Sequence, residues 1–451
     1  MAKPPAGAID IAAVIDQQPV GRYQIRLLLL CAAVLFIDGF DTQAIGYVAP
    51  ALVKDLGITR PELGPVLSAA LFGLMLGALF LGPLADRFGR KRIIIASVLV
   101  FGLCSLATAF VQDASSLLVI RFITGLGLGG AMPNTVALTA EFSPHRRRST
   151  MVMTMFCGFS AGAALGGLIA AAVIPAFGWR GVFVIGGVAP VLLIPLLLVA
   201  LPESIRFLAL SGKPDAMVSA RLKAVFPALA LPEAARFTVS EPKLTGLPVA
   251  HLFSENRALA TLLLWAVFFC SLLVLYFLSS WLPTVMSDLG VSVSLGATIS
   301  SLLQFGGCAG ALVLGRFIDR FSFRALTLMY LMAAAAVALI GQATHSLPIV
   351  AVAIFGAGFC IVGGQSASNA LASGLYPTAV RSTGVGWALG IGRLGSILGP
   401  LIGAKLLDLP NPSLFAITAL PAVVASLAAF GLSLISRKAV APAIAQDAAA
   451  E

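Results

Sequence analysis

The chain alternates long apolar runs with short polar breaks. A helix that crosses the roughly 30 Å hydrocarbon core of a bilayer needs about 20 apolar residues, because each residue rises about 1.5 Å. Runs of this length predict an all-α polytopic membrane protein with twelve membrane-spanning helices. Their approximate bounds are 24–50, 61–84, 93–112, 115–141, 150–174, 181–201, 258–286, 292–315, 325–344, 348–374, 382–407 and 412–436.

Composition agrees with this prediction. Hydrophobic residues make up 59% of the 451 residues and charged residues 11%, against about 25% charged residues in soluble domains. A disordered chain, a basic nucleic-acid-binding domain and a secreted disulfide scaffold are excluded. The six cysteines lie one at a time in apolar runs, which predicts packing residues and neither a metal nor a redox site.

Basic residues orient the helices, since cytoplasmic loops carry an excess of Lys and Arg. With the N-terminus inside, 23 of the 29 basic residues fall on the cytoplasmic side, and the outer loops hold Lys54, Arg60, Arg180 and Lys405. Both termini are therefore predicted to be cytoplasmic. The polar residues 1–21 contain no cleavable signal, so the first apolar run is expected to act as the insertion signal.

An internal repeat divides the chain. The polar stretch 202–256 separates six helices from six, which predicts an N-terminal half (1–201), a cytoplasmic central loop and a C-terminal half (257–451). The halves match at a constant offset of 233 residues, which maps Gly82 to Gly315, Asp86 to Asp319, Arg148 to Arg381 and Gly166 to Gly399. Two pseudo-symmetric six-helix bundles are therefore expected. Paired halves of this kind are typical of secondary transporters that hold the substrate between them.

Four segments carry a family resemblance. Residues 82–91 (Gly-Pro-Leu-Ala-Asp-Arg-Phe-Gly-Arg-Lys) resemble the loop signature of the major facilitator superfamily, and the second copy at 315–324 is degenerate. Residues 38–42 (Asp-Gly-Phe-Asp-Thr), Arg121 with the glycines that follow it, and residues 202–204 (Pro-Glu-Ser) resemble the aromatic acid/proton symporter branch. The resemblance extends over the whole chain.

This resemblance implies a function and several residue roles. It implies a transporter, not an enzyme, that imports a small aromatic acid of the 4-hydroxybenzoate, protocatechuate or benzoate class with protons across the bacterial inner membrane. The protein would be a monomer in the lipid bilayer, would use the proton gradient and no cofactor, and would bind no nucleic acid. Asp86 is expected to pair across the cytoplasmic face, with Arg381 as one candidate. The conformational gate would comprise Gly82, Asp86, Arg87, Gly89, Arg90, Asp319 and Arg320.

Two aspartates lie near the middle of the first predicted helix. An aspartate at this depth costs about 2.5–3.5 kcal/mol on insertion scales, so a functional role is the default. Asp38 and Asp41 share a helix face at spacing i,i+3, and neighbouring carboxylates resist ionising together. Both are therefore candidates for proton coupling, as the resemblance also implies. The alternative is an aspartate that only accepts local hydrogen bonds.

Three further charged residues lie in predicted helices. Arg393, near the middle of the eleventh helix, offers a planar fork for a substrate carboxylate; the alternative is an ion pair with a first-helix aspartate. For Arg121, in the fourth helix, the resemblance implies proton coupling or attraction of the substrate, and the alternative is an interfacial arginine that extends to water. Glu141, at the cytoplasmic end of that helix, is a further proton-coupling candidate, either in a gate ion pair beside Arg146–Arg148 or as a solvated helix end.

Aromatic and polar residues at similar depth form a candidate substrate site. Aromatic side chains can stack on the ring of an acid, and amides can bind its polar groups. Taken singly, each is more often a core or lipid-facing residue. Besides Arg393, the candidates are Gln43, Asn134, Phe159, Trp265, Phe269, Tyr276, Gln304, Gln365, Asn369 and Trp387.

Three other functions stay open at this point. A proton antiporter that exports amphipathic compounds would use the same fold. A transport-like sensor would bind aromatic acids without moving them, although the short termini argue against it. Import of a sugar or an aliphatic acid is the third, because residues 202–204 also resemble those of sugar carriers.

Overall fold

The computed structural model describes residues 8–211, 214–227, 229, 232, 236–238, 249–254, 257–376 and 381–447. Within these residues the chain forms fourteen α-helices and two short strands. In order they are β1 (Ala8–Asp10), α1 (Ile11–Gln17), α2 (Arg22–Leu56), α3 (Arg60–Phe88), α4 (Arg90–Thr108), α5 (Ala114–Glu141), α6 (His145–Ala200), α7 (Ile205–Leu210), α8 (Asp215–Val225), β2 (Arg236–Thr238), α9 (Ala258–Asp288), α10 (Val293–Phe321), α11 (Phe323–Gln342), α12 (Leu347–Leu375), α13 (Arg381–Leu406) and α14 (Asn411–Asp447).

The long helices agree with the predicted number of membrane-spanning segments. Ten of the described helices are long and apolar enough to cross a membrane by length and composition. One of them, α6, is two helices, because Gly178 interrupts it with a φ of 68° that favours glycine. Together with the 35-residue α2, the spanning helices number twelve, as predicted. The helices α2, α10 and α14 extend several residues further than the apolar runs indicated.

Where the structure describes them, the polar residues before α2 and after α6 form short helices and strands. We expected a tail and a loop there. Strand β1 pairs in parallel with β2, and α1 begins after Asp10, whose carboxylate accepts a hydrogen bond from Ala12 N. Ile11 and Ile15 of α1 are buried in the same apolar cluster as Val218 and Leu222 of α8. Isoleucines four residues apart form an apolar stripe on a helix of 7 residues. This helix is far shorter than the roughly 20 residues of a membrane-spanning segment.

Packing divides the chain into two compact units. The first comprises Met1–Thr42, Phe72–Ala163 and Arg180–Lys243; the second comprises Gln43–Leu71, Ala164–Trp179 and Leu244–Glu451. In the first unit α4 packs on α5. In the second, α10 packs on α12, α13 on α9 and α14 on α11. Because the C-terminal end of α2, the start of α3 and the middle of α6 pack with helices of the second half, these units do not coincide with the sequence repeat.

Candidate functional site

A buried ion pair joins α2 and α5 within the first unit. Arg121 Nη1 lies 3.0 Å from Asp41 Oδ2 and 3.3 Å from Oδ1, and Nη2 donates to the main-chain oxygen of Asp41 at 3.2 Å. Both side chains are 0% exposed. The alternative of an interfacial Arg121 that extends to water is therefore wrong. The charge of both residues within apolar runs marks them as candidates, but it does not indicate that they pair.

Two neighbours complete the environment of this pair. Ser105 on α4 donates to Asp41 Oδ1 at 2.7 Å. The ring centre of Phe183 on α6 lies 5.6 Å from the guanidinium carbon of Arg121, within the range of a cation–π contact. A buried charge is tolerated when it is paired and hydrogen-bonded, and Asp41 receives bonds from a guanidinium and a hydroxyl.

Asp38 lies one turn before Asp41 on α2. Its Oδ1 accepts a hydrogen bond from Thr42 Oγ1 at 3.1 Å, and its side chain is fully buried. The first unit thus holds two buried carboxylates and a buried guanidinium, which we call the charge cluster (Asp38, Asp41 and Arg121). Such groups at membrane depth mark a functional site by default.

The start of α5 is fixed two turns before Arg121. Asp113 is the N-cap residue, and its Oδ1 accepts a hydrogen bond from Ser116 N at 2.9 Å. This backbone bond, with a second one from the Ser116 hydroxyl, holds the pKa of Asp113 below its usual range. Capping satisfies backbone donors that the first helical turn leaves open, so it sets the register in which α5 presents Arg121.

Comparison with known proteins identifies the family. The sequence matches the Major Facilitator Superfamily over residues 31–340 and, in a second match, over 264–449. The chain belongs to this superfamily. Its members are transporters and not enzymes. The first match extends into both halves of the chain, and the second lies within the second half.

Individual superfamily members resemble the chain over nearly its whole length. It is 45% identical over 434 residues to the 4-hydroxybenzoate transporter PcaK of Pseudomonas putida, which covers 95% of this chain and 97% of that protein. The gallate transporter of Pseudomonas putida is 44% identical over 433 residues, covering 95% and 96%. Among solved structures, the partially occluded inward-open xylose transporter XylE from E. coli has a TM-score of 0.70 at 15% identity, covering 90% of this chain and 98% of that one. At that identity the likeness shows the fold alone.

In this superfamily member the loop signature forms a second polar cluster of the first unit. Glu141 Oε1 lies 2.8 Å from Arg90 Nη2, and Glu141 Oε2 accepts a hydrogen bond from Ser204 Oγ. We expected Glu141 to pair with the basic run Arg146–Arg148, and this prediction is wrong. Glu141 lies on α5, the helix that carries Arg121, so one helix contributes to both polar clusters.

The glycines of the signature differ in their surroundings. Gly89 has a φ of 97°, and a Cβ added there would collide with Glu203 Oε2. Glu203 Oε1 in turn accepts a hydrogen bond from Lys91 N at 3.2 Å, so residues 202–204 bind the signature loop directly. A Cβ added at Gly82 would meet nothing within 4 Å.

The other predicted gate residues are either exposed or have side chains outside the described residues. Asp86 is 74% exposed, and its Oδ1 lies 3.6 Å from Arg90 Nη2 within the same segment. The expected partner Arg381 has its side chain outside the described residues. Arg87 is exposed, with its guanidinium carbon 5.6 Å from the ring centre of Phe88. The side chains of Asp319 and Arg320 also lie outside the described residues.

Two of the aromatic candidates stack in the second unit. The rings of Trp265 and Trp387 have centroids 5.9 Å apart and planes inclined by 22°, and Phe253 approaches Trp265 edge-on at 5.6 Å. Within the described residues, the buried indole nitrogen of Trp265 has no hydrogen-bond partner. A buried donor of this kind can bind an oxygen of a ligand.

The polar candidates differ in which of their amide atoms already form hydrogen bonds. Gln365 Oε1 accepts a hydrogen bond from Ser271 Oγ, which leaves its amide N–H groups as donors. Asn134 Nδ2 donates to the Gly130 carbonyl at 2.7 Å on its own helix. Gln304 Nε2 lies 3.5 Å from Ser279 Oγ. Of the remaining candidates, Gln43 and Tyr276 are buried, Phe159, Phe269 and Arg393 are half-buried, and Asn369 is exposed.

Sequence reasoning missed Ser105, Phe183 and Ser271 as neighbours of candidate residues. Each is a serine or phenylalanine in an apolar run, where such residues are common. No charge, spacing or motif distinguishes them. Only the packing of α4 and α6 around Arg121, and of α9 against α12, shows what they contact.

Proposed function

We propose that the protein imports small aromatic carboxylic acids together with protons, and that its substrates belong to the 4-hydroxybenzoate, protocatechuate or benzoate class. The identity of 45% over 95% of the chain to a 4-hydroxybenzoate transporter supports the substrate class. The observation that carries proton coupling is the fully buried charge cluster. The protein works as a monomer in the inner membrane, with cytoplasmic termini, and uses the proton gradient and no cofactor.

The proton binds at the two carboxylates of α2. Two buried negative charges one turn apart repel each other, and a proton on one of them removes that repulsion. The Asp41 carboxylate already accepts hydrogen bonds from Arg121 and Ser105. Protonation of Asp38 leaves those bonds intact, and therefore Asp38 is the proton carrier of the proposal.

The substrate carboxylate binds Arg393, whose guanidinium fork matches its two oxygens. The stacked pair Trp265 and Trp387 offers an aromatic face for the ring, and the Trp265 indole N–H donates to one of the ring's oxygen substituents. Gln365 supplies a second amide donor. The remaining candidates of the second unit contribute to the lining of the site as the sequence predicts: Gln43, Phe269, Tyr276, Gln304 and Asn369.

The cytoplasmic gate is formed by the loop signature. Glu141 pairs with Arg90 and accepts from Ser204, so protonation of Glu141 would weaken the link between α5, the signature loop and residues 202–204. This gives Glu141 a place in proton coupling as well as in gating. Asp319 and Arg320 take the corresponding positions of the second half by the sequence repeat.

The test is uptake of labelled 4-hydroxybenzoate into proteoliposomes under an imposed pH gradient. An acid exterior should drive accumulation, and a protonophore should abolish it. Protein-free liposomes are the control, since the neutral acid crosses a bilayer without a carrier. Protocatechuate and benzoate should compete, whereas xylose and succinate should not.

Each rival function gives a different result in this assay. Accumulation driven by an acid interior would show antiport. Saturable binding without accumulation would show a sensor. Competition by succinate or xylose, and not by aromatic acids, would overturn the substrate class.

A further inference from the structure

An arginine at the start of α3 binds an aspartate at the end of α9 within the second unit. Arg60 Nη2 donates to Oδ1 and Oδ2 of Asp288 at 2.8 and 2.9 Å. Arg60 Nη1 lies 3.4 Å from the main-chain oxygen of Leu407 and 3.9 Å from Asp408 Oδ1, just beyond α13. One side chain of the first sequence half thus contacts two segments of the second half.

The first turn of α3 is built to hold Arg60 in place. Glu62 Oε2 accepts hydrogen bonds from Thr59 N at 2.8 Å and from Thr59 Oγ1 at 2.7 Å. This side-chain bond to a residue before the helix closes the first turn around Arg60. The position of the guanidinium is therefore set by the local structure as well as by its partners.

Close packing continues from this ion pair along α3. A Cβ added at Gly64 would lie 2.7 Å from the Ala404 Cβ, and Ser68 Oγ donates to the Ile397 carbonyl at 2.8 Å. Ser68 is eight residues beyond Arg60, or about 12 Å along the helix. α3 and α13 are therefore closely packed over the two turns that follow the ion pair.

The exposure of the pair indicates a contact that opens easily. The Arg60 and Asp288 side chains are 35% and 39% exposed, and ion pairs at such positions contribute little stability. A weak contact suits a transporter, because a strong one would trap a single state of the cycle.

We infer that Arg60 and Asp288 are extracellular gating residues, paired when the outer side is closed and separated when it opens. The inference rests on the proposed function and its membrane orientation, which place the start of α3 and the end of α9 outside. It adds an outer gate to the cytoplasmic gate of the loop signature. Alternating access requires a closure on each side of the substrate.

A reporter cysteine at Ser68 tests this inference. The full-length chain, with its six native cysteines replaced, carries Ser68→Cys and is labelled in cells with a membrane-impermeant maleimide. The gate variants are Arg60→Gln, Asp288→Asn, their combination, and the exchange of Arg60→Asp with Asp288→Arg. The control Lys54→Gln removes an exposed positive charge from the same predicted side.

Each single gate variant should raise the labelling rate two- to fivefold, about 0.4–1 kcal/mol at 1.4 kcal/mol per factor of ten. The double variant should match Arg60→Gln, which already removes the contacts with Asp288, Leu407 and Asp408. The charge exchange restores only the pair with position 288 and should bring the rate below that of Arg60→Gln. Unchanged labelling in the single variants, or an equal rise in Lys54→Gln, would overturn the gate.

Failure of the proposed function gives a distinct pattern. If the orientation is wrong, the reporter reacts in inside-out vesicles and not in intact cells, whatever residue stands at position 60. If the substrate class is wrong, the gate variants still change labelling while 4-hydroxybenzoate leaves the melting temperature of the purified protein unchanged.

Discussion

Arg121 binds Asp41 through both of its terminal nitrogens, one at the carboxylate and the other at the main-chain carbonyl of the same residue. The guanidinium therefore holds both the charge and the backbone of α2. A change in the ionisation of Asp41 would act directly on the contact between α2 and α5. Lysine has a single nitrogen and cannot reproduce the fork.

Substitution of Arg121 should therefore abolish transport. Arg121→Gln leaves the Asp41 carboxylate buried without its cation, and removal of one partner of a buried pair costs about 3–5 kcal/mol. We expect a lower melting temperature and no accumulation of 4-hydroxybenzoate. Arg121→Lys keeps the charge and should retain more of the melting temperature than of the uptake rate. The double variant Asp41→Asn with Arg121→Gln should be more stable than Arg121→Gln alone; equal or lower stability would argue against the pair.

The Ser105 hydroxyl should matter for transport more than for folding. Ser105→Ala removes one donor to the Asp41 carboxylate, and a hydrogen bond to a charged group contributes about 1.5–3 kcal/mol. Because the charge cluster is then held by one hydrogen bond fewer, the rate of 4-hydroxybenzoate uptake should fall about tenfold. Thr108→Val is the matched control, since Thr108 is a buried hydroxyl on the same helix that bonds only to the Cys104 carbonyl in the described residues. A similar loss of uptake in both variants would assign the effect to α4 packing.

The indole N–H of Trp265 should contribute to substrate affinity. Trp265→Phe keeps an aromatic ring beside Trp387 but removes the donor. We therefore expect the KM for 4-hydroxybenzoate to rise about two- to tenfold, from about 0.5–1.5 kcal/mol for a hydrogen bond to a neutral oxygen. Trp281→Phe is the control on the same helix, because its indole donates to the Pro400 carbonyl at 3.0 Å. Trp281→Phe should lower the melting temperature and leave the KM unchanged. The reverse pattern would remove Trp265 from the substrate site.

The two signature glycines should respond differently to alanine. Gly89→Ala places a side chain at φ 97° and ψ 144°, against Glu203, and such a backbone conformation costs about 1–3 kcal/mol for other residues. We expect a lower melting temperature and loss of uptake. Gly82→Ala should fold normally, since its added methyl group meets open space. Loss of uptake in a normally folded Gly82→Ala would show that Gly82 becomes crowded in another state of the cycle.

The fold was largely predictable because a bilayer imposes one length scale on every spanning segment. The twelve helices follow from apolar runs, and the buried Asp38, Asp41 and Arg121 follow from charges inside those runs. The pairing of Arg121 with Asp41 could not be predicted, because periodicity gives the face of a residue and not its partner on another helix. The same reason explains why Glu141 was assigned to the nearby basic run and pairs instead with Arg90, far away in sequence.

The short elements at the polar ends of the first half show a second limit of sequence reasoning. Ile11 and Ile15 are the only buried anchors of a short helix, and β1 and β2 contribute three residues each. Elements this short depend on contacts with distant parts of the chain and carry little signal of their own. The polar composition of these segments does not reveal the short helices and strands that the structure shows in its described residues.

The most direct test of proton-coupled import is the proton movement that accompanies the substrate. Proteoliposomes with a trapped pH-sensitive dye receive external 4-hydroxybenzoate without an imposed gradient, and protein-free liposomes give the background of neutral-acid permeation. The account predicts that wild-type protein acidifies the lumen above this background and that Asp38→Asn does not, although it still exchanges labelled for unlabelled substrate. Alkalinisation of the lumen by the wild type, or undiminished acidification by Asp38→Asn, would contradict it.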